Sequence, residues 1–312
     1  MLLCLDFGGS AIKYGLLDRE NPVRITDAGS VPNHFADQEE FLSAAFSLIT
    51  SLAGRFPIEG IAVSYCGELD HEQGIIRNPG TYFYNAGLQM RRVLEEKTGL
   101  PVSVENDGNA AMLAEWKYGS LQNTQNSAML VLGTGIAGAF ILDGKLYTGR
   151  SGMAGMLSFC TNDLEKPFGP ENMAMQSVAV RFLIRDFLKR KGAPLPEDPE
   201  CALAEYEGRA FNGKEFFRVL AEGDEDAREA LEAYAGNIVR FIMTLNCILD
   251  IEAVSIGGGI SGQDVLIESI TRQVSLLFGP RGFRYGPSVT GASFGSEANL
   301  IGAAIWFMEQ HP

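Results

Sequence analysis

A short apolar run, Leu2-Leu3-Cys4-Leu5, stops at Asp6-Phe7-Gly8-Gly9-Ser10, and a second apolar stretch follows through Ile12 and Leu17. The order is strand, glycine turn, strand, with a carboxylate at the lip of the turn. The frame recurs at Leu130-Val131-Leu132-Gly133-Thr134-Gly135, and a third glycine run, Gly257-Gly258-Gly259, follows the strand-like Val254-Ser255-Ile256. Glycine permits positive φ and has no Cβ, so an anion can come close to backbone N–H groups in such turns. One turn of this kind means little. Three, with two in the same frame, imply a nucleotide held between two related halves.

The chain has 312 residues, enough for two domains with separate cores. A net charge of −14 without any basic run argues against a nucleic-acid partner. Small anionic ligands are not excluded, because glycine turns and one or two cations hold them locally. The five cysteines, at 4, 66, 160, 201 and 247, form neither a metal knuckle nor a redox pair, as expected for reduced thiols in the cytosol. The opening apolar run lacks a basic flank and breaks at Asp6, so a signal peptide is not expected. Residues 128–142 are apolar but too short and glycine-rich to span a bilayer. A cytoplasmic protein without membrane partners is the expectation.

Helical spacing of Phe41, Leu42, Ala45, Leu48, Ile49 and Leu52 predicts a helix over 37–55. A strand over 58–65, a hairpin and loop over 67–85, a helix over 88–98 and a strand at 102–104 follow, then a helix over 110–118. Strands are expected at 128–133, 137–142 and 145–148, with an Asp143-Gly144 turn joining the last two. Beyond Met173 the pattern is mostly helical, interrupted by a proline loop at Pro194-Leu195-Pro196 and Pro199. A long helix through Leu249, a strand from Ala253, a helix near 264–277, a strand near 288–292 and a closing helix over 298–309 complete the pattern. The unit that begins near residue 2 begins again near 128, an α/β duplication visible in topology rather than residue identity.

Gly133-x-Gly135-x-x-Gly138 satisfies the dinucleotide fingerprint as a string, but that fingerprint needs a helix next. Here Ala139-Phe140-Ile141-Leu142 continue as a strand, so the dehydrogenase reading fails. No Gly-Lys-Ser/Thr follows a glycine loop either, which removes the Walker P-loop. Paired β-turns remain as the phosphate holder, in the manner of actin-like ATPases.

Over most of its length the sequence resembles the ROK sugar kinases of the actin and hexokinase-like superfamily. Asp6-Phe7-Gly8-Gly9-Ser10 resembles their first phosphate motif and Glu105-Asn106-Asp107-Gly108-Asn109-Ala110-Ala111 their catalytic segment. Residues 132–138 resemble the second phosphate turn, Ser255-Ile256-Gly257-Gly258-Gly259-Ile260 the adenosine turn, and Asn299-Leu300-Ile301-Gly302-Ala303-Ala304 the closing helix. The resemblance implies an α/β fold of two actin-like (ribonuclease H-like) lobes, residues 1–112 plus 298–312 and residues 113–297. A cleft between them would bind ATP with Mg²⁺ and a hexose, N-acylhexosamine or glucoside, and its closure would exclude water. A homodimer is also implied.

The implied catalytic residue is Asp107, a carboxylate at a strand edge that can take the proton of an attacking sugar hydroxyl. The plainer alternative is that it caps the helix that follows, and the two roles are compatible. Asp6 would face Mg²⁺ indirectly, or simply start a turn ahead of Gly8. Gly8, Gly9, Gly133, Gly135 and Gly257-Gly258-Gly259 would line the nucleotide, with Ser10 and Thr134 adding hydroxyls. Lys13 would reach a phosphate or solvate an edge, and Asn78 would meet sugar or make a turn before Pro79-Gly80. Asn106 is a further candidate sugar contact.

Two departures from the family pattern stand out. Where many members have Ala-Gly-Glu-x-Gly-His and a zinc-binding cysteine run, this chain reads Ala154-Gly155-Met156-Leu157-Ser158-Phe159-Cys160, so no zinc site is expected. Met156 replaces a glutamate that binds sugar hydroxyls, and a thioether is only a weak acceptor. Met173-Ala174-Met175-Gln176-Ser177 occupies the region of a second such glutamate. A more apolar pocket, suited to a substituted or glycosylated sugar, would result. Two alternatives compete: a ROK repressor, disfavoured because only five residues precede Asp6, and a sugar sensor with weak or lost catalysis.

Overall fold

The computed structural model describes residues 1–9, 11–161, 163–196, 204–278 and 286–312. Ser10, Pro199 and Cys201 lie outside the described residues.

Contacts divide the chain into two units, Met1–Gln122 with Leu146–Ala154 and Ser296–Pro312, and Asn123–Lys145 with Gly155–Gly295. The first unit contains β1 (Leu2–Phe7), β2 (Ala11–Leu17), β3 (Ile25–Pro32), α1 (Gln38–Ala53), β4 (Gly60–Tyr65), the small pair β5 (Glu68–Asp70) and β6 (Ile75–Asn78), α2 (Met90–Thr98), β7 (Val102–Asn106) and α3 (Asp107–Tyr118). The second contains β8 (Ser127–Leu132), β9 (Ile136–Leu142), α4 (Met175–Val178), α5 (Val180–Arg190), the pair β11 (Ala204–Tyr206) and β12 (Arg209–Phe211), α6 (Gly213–Ala221), α7 (Glu225–Leu249), β13 (Ala253–Gly258), α8 (Asp264–Phe278) and β14 (Ser288–Gly291), while β10 (Lys145–Tyr147) straddles the division, Lys145 in the second unit and Leu146 and Tyr147 in the first. The last helix, α9 (Ala298–Gln310), belongs to the first unit.

The duplication is plain in the sheets. The first runs β3-β2-β1-β4-β7 and the second β10-β9-β8-β13-β14, so each is one order applied to different sequence. β1 pairs antiparallel with β2 and parallel with β4; β8 pairs antiparallel with β9 and parallel with β13. Each unit is an α/β lobe of the actin-like type.

Burial explains the strand compositions. Every residue of β1 and β4 is buried, and such strands read as continuous apolar runs. One face of this sheet packs Leu3, Leu5, Phe7, Ile61 and Val63 against Phe41, Ala45 and Ile49 of α1 and Leu94 of α2. On the other, α9 lies so close that a Cβ on Gly60 would stand 2.2 Å from the Phe307 ring. In the second unit Leu130, Leu132, Val254 and Ile256 share a core with Leu183, Phe187, Leu231 and Ile238.

β3 falls on a stretch for which the sequence pattern offers no expectation, because its residues alternate between half-buried and exposed, as on a sheet edge. Three expectations need correction. The helix after β7 starts at Asp107, not at 110, and a boundary at 112 would cut it. The first unit runs to Gln122 and also takes in Leu146–Ala154. Gly257 and Gly258 are not a turn after β13; they belong to it, paired with Val131 and Leu132.

Candidate active site

The two glycine turns occupy equivalent places in the two sheets, between β1 and β2 and between β8 and β9. None of Gly8, Gly9, Gly133, Gly135, Gly257 or Gly259 has a left-handed φ, so their value lies in the missing Cβ rather than in backbone freedom. Gly258 is the exception, with φ +98° and an added Cβ only 2.0 Å from the Leu132 carbonyl. That glycine is demanded by the sheet. A Cβ on Gly133 or Gly259 would meet nothing within 4 Å.

In both turns the carbonyls are held from behind. Tyr82 Oη donates to Gly8 O at 2.7 Å, and Asn33 Nδ2 donates to the carbonyls of Gly8 and Gly9, each at 3.2 Å. In the second unit the Val180 N–H donates to Gly133 O at 3.1 Å, and the Arg181 guanidinium donates to Thr134 O. A peptide is planar and trans, so the N–H that follows each held carbonyl faces the opposite way. The N–H groups of Gly9, Thr134 and Gly135 are thereby turned away from these donors, which is how an anion-binding turn is built. Ser158 Oγ completes the second turn, accepting the Ile136 N–H at 3.0 Å and donating to Ile136 O at 2.8 Å.

Asp6, at 2% exposure, lies beside the first turn. Its Oδ1 accepts from Ser64 Oγ at 2.8 Å and Asn299 Nδ2 at 3.1 Å. Burial raises its pKa, opposed by those two donors and by Lys13. Lys13 sits directly across the antiparallel pair from Asp6, so its charge is placed at this carboxylate and on the same sheet face.

Asp107 opens α3. The cap itself is Asn106, whose Oδ1 accepts the Asn109 N–H at 3.1 Å, so the capping alternative for Asp107 passes to its neighbour. Asp107 Oδ1 accepts from the Gly108 N–H at 2.8 Å and from Asn106 Nδ2 at 3.0 Å. Asn106 Nδ2 also donates to Gly67 O at 2.8 Å, which uses both amide hydrogens and leaves a sugar only the carbonyl side. Desolvation, and then the negative charge of Asp6, push the Asp107 carboxyl up to about 6. A buried carboxylate with a second negative charge close enough to raise its neighbour's pKa suits the water shell of a hard divalent cation, so Asp6 fits Mg²⁺.

Among the remaining candidates, Asn78 is exposed at the end of β6 and accepts the Gly80 N–H at 3.3 Å, which is a turn role. Thr134 is exposed and Met156 partly so. Gly155, before Met156, has φ +89°, and its Cβ would stand 1.9 Å from Gly138 O, fixing this segment against β9. Met173 and Met175 are partly exposed rather than core-filling, and Met175 Cβ would be 3.6 Å from a Cβ on Gly135. Asp6, Gly8, Gly9, Lys13, Asn78, Asn106 and Asp107 thus belong to the first unit; Gly133, Thr134, Gly135, Met156 and the 257–259 glycines belong to the second. Sequence reasoning gave no role to Ser64, Tyr82, Asn33, Arg181 or Asn299. Only Asn299 lay in a quoted motif; the rest act across long sequence separations.

Duplicated lobes of one strand order, each with a glycine turn between its antiparallel pair, define a fold of the actin and hexokinase-like class. Residues 2–310 match the ROK family, and the chain belongs to it. A beta-glucoside kinase from Klebsiella pneumoniae is 28% identical over 307 residues, 98% of this chain and 95% of the relative. Among solved structures, a ROK hexokinase from Thermus thermophilus superposes with TM-score 0.74 at 28% identity, covering 100% of this chain and 99% of its own. A ROK family glucokinase from Streptomyces griseus, solved with glucose and AMPPNP, superposes with TM-score 0.81 at 24% identity and 99% coverage of both chains, a likeness of fold.

Proposed function

We propose that this protein is an ATP-dependent sugar kinase. A sugar hydroxyl attacks the γ-phosphorus of ATP, the bond to the β-phosphate oxygen breaks, ADP leaves, and Asp107 takes the hydroxyl proton. The observation that carries this reading is the Asp107 carboxylate, tuned to about 6 and oriented by Asn106 and the Gly108 N–H. A base with that affinity is ionised at neutral pH yet still accepts a proton readily. The turns at Gly8-Gly9 and Gly133-Thr134-Gly135 would hold phosphate oxygens, with Ser10 and the glycines 257–259 further along the nucleotide. Asp6 would hold Mg²⁺ through its water shell, and Mg²⁺ when bound supplies charge neutralisation at the β- and γ-oxygens.

For the substrate we favour a sugar with a substituent, a β-glucoside before free glucose. Met156 supports this because it removes an acceptor for sugar hydroxyls and adds apolar surface. The beta-glucoside kinase relative agrees. A homodimer in the cytoplasm completes the proposal on the family resemblance. No helix among the described residues is long and apolar enough to cross a membrane.

ADP release measured against hexoses, N-acylhexosamines and aryl or disaccharide glucosides tests the reading. Turnover highest with glucosides is the expected result. Strict preference for free glucose would overturn the substrate assignment. Saturable sugar binding without any turnover would favour the sensor that Met156 also permits.

A further inference from the structure

A hydrogen-bonded His71–Glu105 pair behind Asp107 has no part in the reading above, though its role rests on that reading. Glu105, 1% exposed near the end of β7, stands two residues before the base. Its Oε1 accepts the Asn106 N–H at 2.7 Å and Asn109 Nδ2 at 3.0 Å, while Oε2 meets His71 Nδ1 at 2.9 Å. His71 lies in the turn between β5 and β6. Its ring stacks on Trp306 of α9, with centroids 5.2 Å apart and planes 11° from parallel, and Nε2 is 3.5 Å from Thr148 Oγ1.

A carboxylate buried this deeply is tolerated only when its lone pairs are met. His71 supplies the ring nitrogen that meets Oε2. The hydrogen bond to Glu105 is the main cause that raises the imidazole above its ordinary value, against desolvation and with help from the charges of Glu105, Glu72 and Asp70. Asp70 is itself paired with Arg77 at 2.6 Å; α9 contributes the uncharged Trp306 and the Leu146–Ala154 segment the uncharged Thr148. Glu105 in turn grips the Asn106 peptide and the Asn109 amide. These are the two residues joined by the α3 cap, and Asn106 also holds Asp107.

We infer that His71 is a positioning residue of the phosphoryl-transfer step: through Glu105 it fixes the strand-to-helix corner that aims Asp107. It touches neither nucleotide nor sugar in this scheme. Removing its donor therefore alters the aim of the base without altering what the enzyme binds, and small errors of aim are expensive in rate.

The test compares His71→Phe, which keeps a ring on Trp306 but has no donor, with His71→Asn, which keeps an amide donor near the Nδ1 position. Steady-state kinetics with ATP and the best glucoside should show kcat reduced about 10- to 100-fold in His71→Phe, with both KM values within about twofold of wild type. His71→Asn should recover most of the rate. If His71→Phe does not fold, Glu105→Gln carries the test, since its amide still accepts from Asn106 while forfeiting the carboxylate oxygen that meets His71; the same fall in kcat at unchanged KM is expected. Full kcat in the folded variants, or KM values that rise as kcat falls, would overturn the inference while leaving the kinase reading intact. A wild-type chain that phosphorylates no sugar would overturn both.

Discussion

Asn106 donates to Asp107 Oδ1 at 3.0 Å, so the carboxylate is steadied by the residue before it, whose own Oδ1 caps the same helix. The helix cap and the proposed base are therefore one assembly. A change at either is felt at the other.

Asp107→Asn removes the proton acceptor and preserves the shape. Turnover should fall about 10²- to 10⁴-fold, while the dissociation constant for AMPPNP changes little. Steady-state rates and calorimetric titration check the two halves of this expectation. Near-wild-type turnover would rule out Asp107 as the base.

The raised Asp107 carboxyl has two consequences for pH. Activity should fall on the acid side with an apparent pKa of about 6, because the proposed base is protonated below it. Asp6→Asn should move that limb to lower pH in the residual activity, since a nearby negative charge has been removed. Stability carries the opposite sign from a salt-bridged acid. Between the ordinary carboxylate range and about 6 the unfolded chain ionises Asp107 and the folded chain resists, so the group destabilises the fold increasingly as pH rises. Asp107→Asn should therefore unfold at higher temperature than wild type at pH 8 and show no such gain at pH 4. Equal differences at the two pH values would contradict the assignment.

The donors behind the turns should act on nucleotide binding. Tyr82→Phe frees Gly8 O, and Arg181→Met frees Thr134 O, each loosening a peptide whose opposite face presents N–H groups. Loss of one such bond is worth roughly 1 kcal/mol, or about fivefold. The KM for ATP should rise by that order in each variant, with kcat nearly unchanged. A fall in kcat at constant KM would place these residues elsewhere in the reaction.

Neighbouring glycines should separate fold from ligand. Gly258→Ala forces a Cβ against the Leu132 carbonyl at positive φ, and thermal melts should show a loss of several degrees or failure to fold. Gly259→Ala meets open space, so its melting temperature should match wild type. Weakened AMPPNP binding in that stable variant would identify Gly259 as a ligand-facing position.

Met156→Glu restores a two-oxygen acceptor. The ratio of kcat/KM for free glucose to that for a glucoside should rise by at least about tenfold, the lower end of what one changed pocket contact gives. An unchanged ratio would remove Met156 from the sugar site.

The interior strands and both turns were legible because they are written locally: a fully buried strand is an apolar run, and its turn is a glycine pair. β3 was not, since half its residues face solvent. The hairpin of β11 and β12 was hidden in a region of helical pattern, each strand being three residues long. Asp6 and Asp107 were found through motifs. Their environment was invisible because Asn299 reaches Asp6 across 293 positions, and His71 reaches Glu105 across 34. Nothing near either partner in sequence announces the pairing. Met156 was legible only as a departure from a family pattern.

The return of α9 to the first unit sets an order of events during synthesis. All of the second unit, residues 123–145 and 155–295, leaves the ribosome before the helix that completes the first. Until Ala298–Gln310 emerges, the sheet that carries Asp6 lacks the cover on one of its faces, and Asp6 lacks its Asn299 donor. The half made second can close first, and the half made first waits for α9. A released chain truncated after residue 295 should therefore resist protease over the second unit while residues 1–122 are still cut, and the surroundings of Asp6 are completed only once α9 is in place.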